Sequence, residues 1–98
     1  MKKLFRNENH KNGHSYDCLV AEIGTNNKKV KMTYEARNAL ERCTVEFFDG
    51  DKWNVIFGMY DMGVEPESSA YNIWSPERRK KRADELFKIA EKMCNSIL

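Results

Sequence analysis

The most unusual chemistry in this sequence lies in five consecutive cationic residues: Arg78, Arg79, Lys80, Lys81 and Arg82. Arginine and lysine side chains bind carboxylates and phosphate oxygens through charged hydrogen bonds. The run follows Ser75-Pro76, a typical helix start, so the cations lie at the positive end of a helix dipole, where each costs about 0.3 to 1 kcal/mol. Because local helix physics disfavours this placement, the run predicts contact with an anionic partner, with a solvated helix face as the alternative.

Two neighbouring groups of residues extend this candidate contact surface. Tyr71 and Trp74 precede the basic run and are predicted either to lie exposed beside it or to pack beneath the helix. The connection over residues 58–69 contains glycine and proline and is typical of an irregular segment. Its carboxylates lack the spacing of a calcium-binding loop, so we expect an acidic contact surface there, formed by Asp61, Glu65 and Glu67.

Metal binding and nucleophilic catalysis have weaker signals. His10, His14 and Cys18 are spaced four residues apart, but residues 7–15 are rich in asparagine, which indicates a loop that does not align them as ligands. Cys18 near His14 is the one sequence-local pair of a nucleophile and a base. The sequence also lacks a phosphate-binding loop and a nucleophile elbow. We therefore expect no metal, no cofactor and no enzymatic activity.

The composition limits the elements that can position these residues. The chain has 98 residues, 41% hydrophobic and 33% charged, with a net charge of +2, and this length predicts one small domain. Both ends are basic and residues 43–75 are acidic, which predicts oppositely charged surfaces. Apolar runs are far shorter than the roughly 20 residues of a membrane span, and no signal-peptide pattern is present. Three widely spaced cysteines (Cys18, Cys43 and Cys94) indicate free thiols and a cytoplasmic protein.

The hydrophobic pattern predicts an α+β fold with the element order ββαββ(β)α. Alternating segments separated by turn residues predict two β-hairpins, over residues 16–32 and 44–57, and a short last strand over residues 70–74. The inner face of this small antiparallel sheet is predicted to carry five apolar side chains of the second hairpin: Val45, Phe47, Trp53, Val55 and Phe57.

Two helices are predicted to pack on this sheet. Residues 34–42 have apolar side chains at helical spacing after Thr33, which predicts a short helix. A longer amphipathic helix is predicted over residues 76–96, with its apolar stripe formed by Ala83, Leu86, Phe87, Ala90, Met93, Cys94 and Ile97. Residues 1–15 are predicted to be a polar N-terminal segment.

These features favour a non-enzymatic binding or regulatory protein, in the style of small phage or mobile-element inhibitors. We expect it to mask or modulate an acidic protein surface or a nucleic-acid-handling partner, with residues 78–82 as the positive contact and residues 58–69 as an acidic one. Direct nucleic-acid binding through the basic helix start is the first alternative, which salt-dependent retention on DNA or RNA would distinguish. A small enzyme or enzyme subunit is the second.

Overall fold

A computed structural model describes residues 1–11, 14–25, 28–37, 40–60 and 75–97. Its elements are five strands and one helix: β1 (Lys2–Lys11), β2 (His14–Ile23), β3 (Lys28–Arg37), β4 (Leu40–Phe48), β5 (Trp53–Tyr60) and α1 (Pro76–Ile97). The strands form one antiparallel sheet in chain order. The α+β class is therefore confirmed. The predicted strand over residues 70–74 lies outside the described residues.

Both predicted hairpins are present, with longer strands than expected. In the second, the turn after β4 is held by Asp49, whose Oδ1 accepts hydrogen bonds from the backbone N–H groups of Asp51 at 2.8 Å and Lys52 at 2.9 Å. The bonds from Lys52 and Asp51 lower the pKa of the Asp49 carboxyl. Gly50 adopts a φ of 100°, which a side chain would disfavour. The turn signal in the sequence thus has a direct structural cause.

The predicted short helix over residues 34–42 is wrong. Residues up to Arg37 continue β3, and β4 begins at Leu40. Along β3 the side chains alternate strictly in burial, with Tyr34 and Ala36 buried and Glu35 between them half-buried, which is the period of a strand. Pairing with β2 and β4 on either side overrides the helical spacing, because it satisfies the backbone of β3 on both edges.

The predicted loop over residues 7–15 is wrong among the residues described, whereas the predicted polar character of the N-terminal segment over residues 1–15 is compatible with a mostly exposed strand. Residues 2–11 form β1 and residues 14–15 begin β2, so that His10 lies opposite Ser15 across the ladder. β1 is an edge strand with little apolar burial. Its side chains Arg6, Glu8 and His10 contact charged groups on β2 and α1, a long-range arrangement with no local signal in the sequence.

The core lies between one face of the sheet and α1, which confirms the predicted C-terminal helix. Ser75 caps it, because its Oγ accepts a hydrogen bond from the N–H of Arg78 at 3.2 Å. The buried residues of this cluster come from three strands, β2 to β4, and the helix: Leu19, Ile23, Val30, Met32, Tyr34, Ala36, Cys43, Val45, Ala83, Leu86, Phe87, Ala90 and Cys94. Met93 and Ile97, predicted to join the stripe, are 40% and 61% exposed, so the stripe is narrower than predicted.

The predicted inner face of the second hairpin is only partly correct. Val45 is fully buried and Phe57 packs against the core, but Val55 is 65% exposed. The ladder shifts register between Val45 and Glu46, and this β-bulge changes which residues of β5 face the helix. Ile56 and Phe57 both contact the core as a result, whereas Val55 lies opposite Glu46 on the other face. Among the described residues, no helix has the length and apolarity to cross a membrane.

Candidate functional site

The helix start directs two cations of the basic run into the protein. Arg79 is fully buried, and its Nη1 donates a hydrogen bond to the Oγ of Ser15 at 3.2 Å. Arg82 donates two hydrogen bonds of 2.7 Å each to Glu41, whose carboxylate also accepts one from the hydroxyl of Tyr34 at 3.1 Å. Paired bonds from one guanidinium to one carboxylate fix both side chains. These two arginines therefore attach α1 to the sheet.

The remaining three cations of the run lie nearer the surface. Lys80 is 2.6 Å from the carboxylate of Glu8 on β1, and both side chains are about two-fifths exposed. The hydrogen bond from Lys80 lowers the pKa of Glu8. Arg78 and Lys81 are exposed. The run predicted as one positive contact surface is thus divided, and two of its five side chains face outward.

A second charged cluster lies between β1, β2 and α1. Arg6 donates from Nε to Oδ1 of the fully buried Asp17 at 3.0 Å, and its Nη2 contacts Oδ1 of Asp84 on α1 at 2.7 Å. Burial opposes the charge of Arg6, but the hydrogen bonds to Asp17 and Asp84 outweigh it and raise its pKa. The Nε2 of His10 lies 3.0 Å from Oδ2 of Asp17. The polar side chains of β1 are therefore structural partners of the helix.

Three residues of this cluster have the spacing of metal ligands. Glu8, His10 and Asp17 each place one ligand atom within 4.8 Å of the other two. The same carboxylate oxygens already contact Arg6 and Lys80, so a divalent cation would have to displace two positive charges. This arrangement is best explained as an ion-pair network.

The set of His10, His14 and Cys18 is not brought together. His10 faces α1, because its side chain contacts Asp17 beneath the helix. His14 is exposed at the start of β2, and Cys18, next to the inward-facing Asp17, alternates to the opposite face of the same strand.

The cysteines of the core are poor nucleophiles. All three cysteines are free and buried. Burial, assisted by the charge of Glu41, raises the pKa of Cys43 to about 12, and burial raises the pKa of Cys94 to about 11. Because the thiolate is the reactive form, these two thiols are held in their inert state.

The opposite face of the sheet, which we call the uncovered face, carries no described helix. One row of side chains crosses it from edge to edge through the register of all five strands: Phe5, Val20, Lys31, Glu46 and Val55. The two ends of the row, Phe5 and Val55, are 55% and 65% exposed. Large apolar side chains are thus exposed on both edge strands, and the row between them carries one lysine and one glutamate.

An aromatic corner, formed by Phe48, Trp53, Lys29 and Lys31, adjoins this row. The rings of Phe48 and Trp53 have centroids 5.1 Å apart and are tilted by 47°. Lys31 Nζ lies 4.4 Å from the centroid of the Trp53 ring, and Lys29 Nζ lies 6.0 Å from that of Phe48. Each ring therefore holds a cation over its π-face. Sequence reasoning assigned Trp53 to the core and missed this corner.

The signal for the corner was present in part. The alternation of Lys29, Lys31 and Thr33 with buried residues shows that they share a face, and the same holds for Trp53 and Val55. Alternation does not say which of the two faces the helix covers. The other predicted contact residues lie outside the described residues: Asp61, Glu65, Glu67, Tyr71 and Trp74.

Comparison of this chain with known protein families, with curated proteins and with solved structures found no match.

Proposed function

We propose that this chain is a non-enzymatic binding protein that acts by occupying a partner through the uncovered face. The carrying observation is the exposure of Val55 and Phe5 at the two ends of one row that crosses the sheet. Phe5 and Val55 lie four strand spacings apart, about 19 Å, and exposed apolar surface rimmed by polar side chains marks interaction sites. We infer that these two residues, with Val20, Lys31 and Glu46 between them, form one contact surface. The buried ion pairs on the other face support the proposal, because they attach α1 to the sheet and so hold the sheet rigid.

The groups that enzymes use for proton transfer and nucleophilic attack support a non-enzymatic role. The His10 side chain is only 6% exposed and is engaged by Asp17. Cys43 and Cys94 are buried, with pKa values that keep their thiols protonated. A substrate needs access to a base or a nucleophile. The side chains of His10, Cys43 and Cys94 give it little access, because they are largely buried. The free, buried cysteines also support the proposal of a cytoplasmic protein.

Two classes of partner follow from the charges. An acidic protein, such as one that handles nucleic acid, is a partner that the protein would mask in the manner of a small phage inhibitor. A nucleic acid is the other class. Both are anionic and both suit a surface on which Lys29 and Lys31 lie beside exposed apolar groups.

Site-specific photo-crosslinking tests the proposed surface. A benzophenone side chain is placed at position 55 on the uncovered face or, as the matched control, at the exposed position of Lys88 on α1. After irradiation of living cells of the native host, we expect a discrete adduct from position 55 and none from position 88. Digestion by protease or nuclease then identifies the class of partner. Adducts from position 88 alone, or from neither position, would overturn the proposal.

A further inference from the structure

We infer that the uncovered face binds a single-stranded nucleic acid, with bases stacked at the aromatic corner and phosphates held by lysines. This inference rests on the proposed contact surface and names its occupant. It assigns the binding to the sheet, at a site distinct from the basic helix start. Three features of the molecule support it: the charge of the face, the chemistry of the corner and the small side chains of the neighbouring row.

The charge of the uncovered face suits a polyanion. Its described side chains include six cations: Lys2, Lys11, Lys29, Lys31, Arg37 and Arg42. They include three carboxylates: Glu22, Glu35 and Glu46. Arg42 is paired with Glu35 at 3.1 Å. The cations are distributed over three strands, so a phosphate backbone that crosses the sheet meets positive charge along its path.

The aromatic corner offers stacking surfaces for bases. Trp53 and Phe48 are half-buried, so part of each residue is packed against the protein and part is accessible to solvent. In the free protein, Lys31 and Lys29 lie over these rings. A base that stacks on a ring displaces the ammonium group, which then reaches a phosphate of the same nucleotide strand. The same four residues thus provide both kinds of contact that single strands require.

The row next to the one that runs from Phe5 to Val55 is built from smaller residues, three of them polar. Asn7, Cys18, Thr33, Thr44 and Gly58 follow one another across the five strands by their register. Rows on one face of a sheet are about 7 Å apart along the strand direction. Because these residues are small, the row forms a shallow strip beside the exposed side chains of Phe5 and Val55. The edges of bases that lie in this strip contact the hydroxyl groups of Thr33 and Thr44 and the amide of Asn7. Duplex bases are stacked and paired internally, so this arrangement favours a single strand.

Fluorescence anisotropy with labelled oligouridylate and oligothymidylate tests the inference, with a duplex of equal length for comparison. We expect single strands to bind more tightly than the duplex, with an affinity that falls steeply as salt increases. The variant Lys29→Gln/Lys31→Gln should bind at least about tenfold more weakly. It should also lower the magnitude of the log–log salt slope by about 1.4, because each lost phosphate contact on a single strand contributes about 0.7.

Two further variants make the result specific. Lys88→Gln/Lys92→Gln removes the same charge from exposed positions of α1 and should change the affinity by less than about twofold. Trp53→Leu removes the stacking surface and should weaken binding by about tenfold, while circular dichroism and the melting temperature verify that it is folded. Equal losses in the two lysine variants, or equal affinity for duplex and single strand, would overturn the inference.

The failure of this inference is distinguishable from failure of the proposed function. No binding of either oligonucleotide by the folded protein, together with a protease-sensitive adduct from position 55, would reject a nucleic-acid occupant and retain the uncovered face as the contact surface for a protein. No adduct from position 55 would reject both.

Discussion

Arg82 on α1 and Glu41 at the start of β4 are joined by two hydrogen bonds of 2.7 Å each, and the Glu41 side chain is 1% exposed. The pair connects two residues that are 41 positions apart in the chain. Its cation belongs to the basic run that the sequence marks as a surface for partners. A cation in the first turns of an isolated helix is unfavourable. For Arg82, the ion pair with the carboxylate of Glu41 on the sheet offsets part of this cost.

Arg82→Ala should destabilise the protein by about 3 to 5 kcal/mol, because it leaves the buried carboxylate of Glu41 without its cation. Replacement of both partners, in Arg82→Leu/Glu41→Leu, should recover most of that loss, since no buried charge remains. Urea unfolding of Arg82→Leu, Glu41→Leu and the double variant measures the coupling between the two side chains. A loss below about 0.5 kcal/mol for Arg82→Ala would show that the pair contributes little.

The two faces of the sheet are tested by the same substitution at two valines. Val45 is fully buried and Val55 is 65% exposed. We expect Val45→Ala to cost about 1.5 to 3 kcal/mol, because it removes buried apolar surface from the core. Val55→Ala should change the free energy of unfolding by less than about 0.5 kcal/mol. The opposite ranking in urea unfolding would place the helix on the other face.

The hairpins and the long helix could be predicted from sequence because their signals are local. Asp49-Gly50 fixes a turn through its own side chain and φ angle, and Ser75 caps the helix that follows it. The short helix over residues 34–42 was predicted wrongly because its apolar spacing fits a helix, whereas pairing on both edges requires a strand. Such pairing depends on residues far away in the chain.

The candidate site was less predictable than the fold. The sequence alone indicates that Arg79 and Arg82 are surface cations. Their burial depends on contacts with Ser15 and Glu41, which lie far away in the chain. The position of Val55 depends on a β-bulge after Val45, and one extra residue reverses the face of all that follows. Neither effect has a pattern that a single sequence displays.

The two histidines provide a test of the charged cluster around β1. The Nε2 of His10 lies 3.0 Å from Asp17, and its side chain is 6% exposed, whereas His14 is exposed. We expect His10→Ala to destabilise the protein by about 1 to 3 kcal/mol, through a lost hydrogen bond and a cavity. His14→Ala, the matched control, should have an effect below about 0.5 kcal/mol in thermal or urea unfolding. Equal effects would argue against the contact with Asp17.

The ion pair of Glu8 with Lys80 predicts part of the acid sensitivity. The hydrogen bond from Lys80 lowers the folded-state pKa of Glu8 below its ordinary value of 4.5. A lowered pKa means that the stabilisation is complete above the unfolded value and is lost as the pH falls through the folded value. As the pH falls from the unfolded-state pKa of Glu8 through its folded-state pKa, thermal unfolding of Glu8→Gln should show a smaller loss of stability than that of the wild type. Lys80→Met should show the same. Unchanged slopes in both variants would contradict this contribution.

The most direct test of the uncovered face as the contact surface is an NMR titration of the labelled protein with oligouridylate. We expect the largest chemical-shift changes in the row from Phe5 to Val55, at the indole N–H of Trp53 and at Thr33, with small changes at the exposed helix residues Arg78 and Lys81. Changes that are concentrated at Arg78 and Lys81, while the sheet residues remain unchanged, would contradict the account and return the contact surface to the basic run.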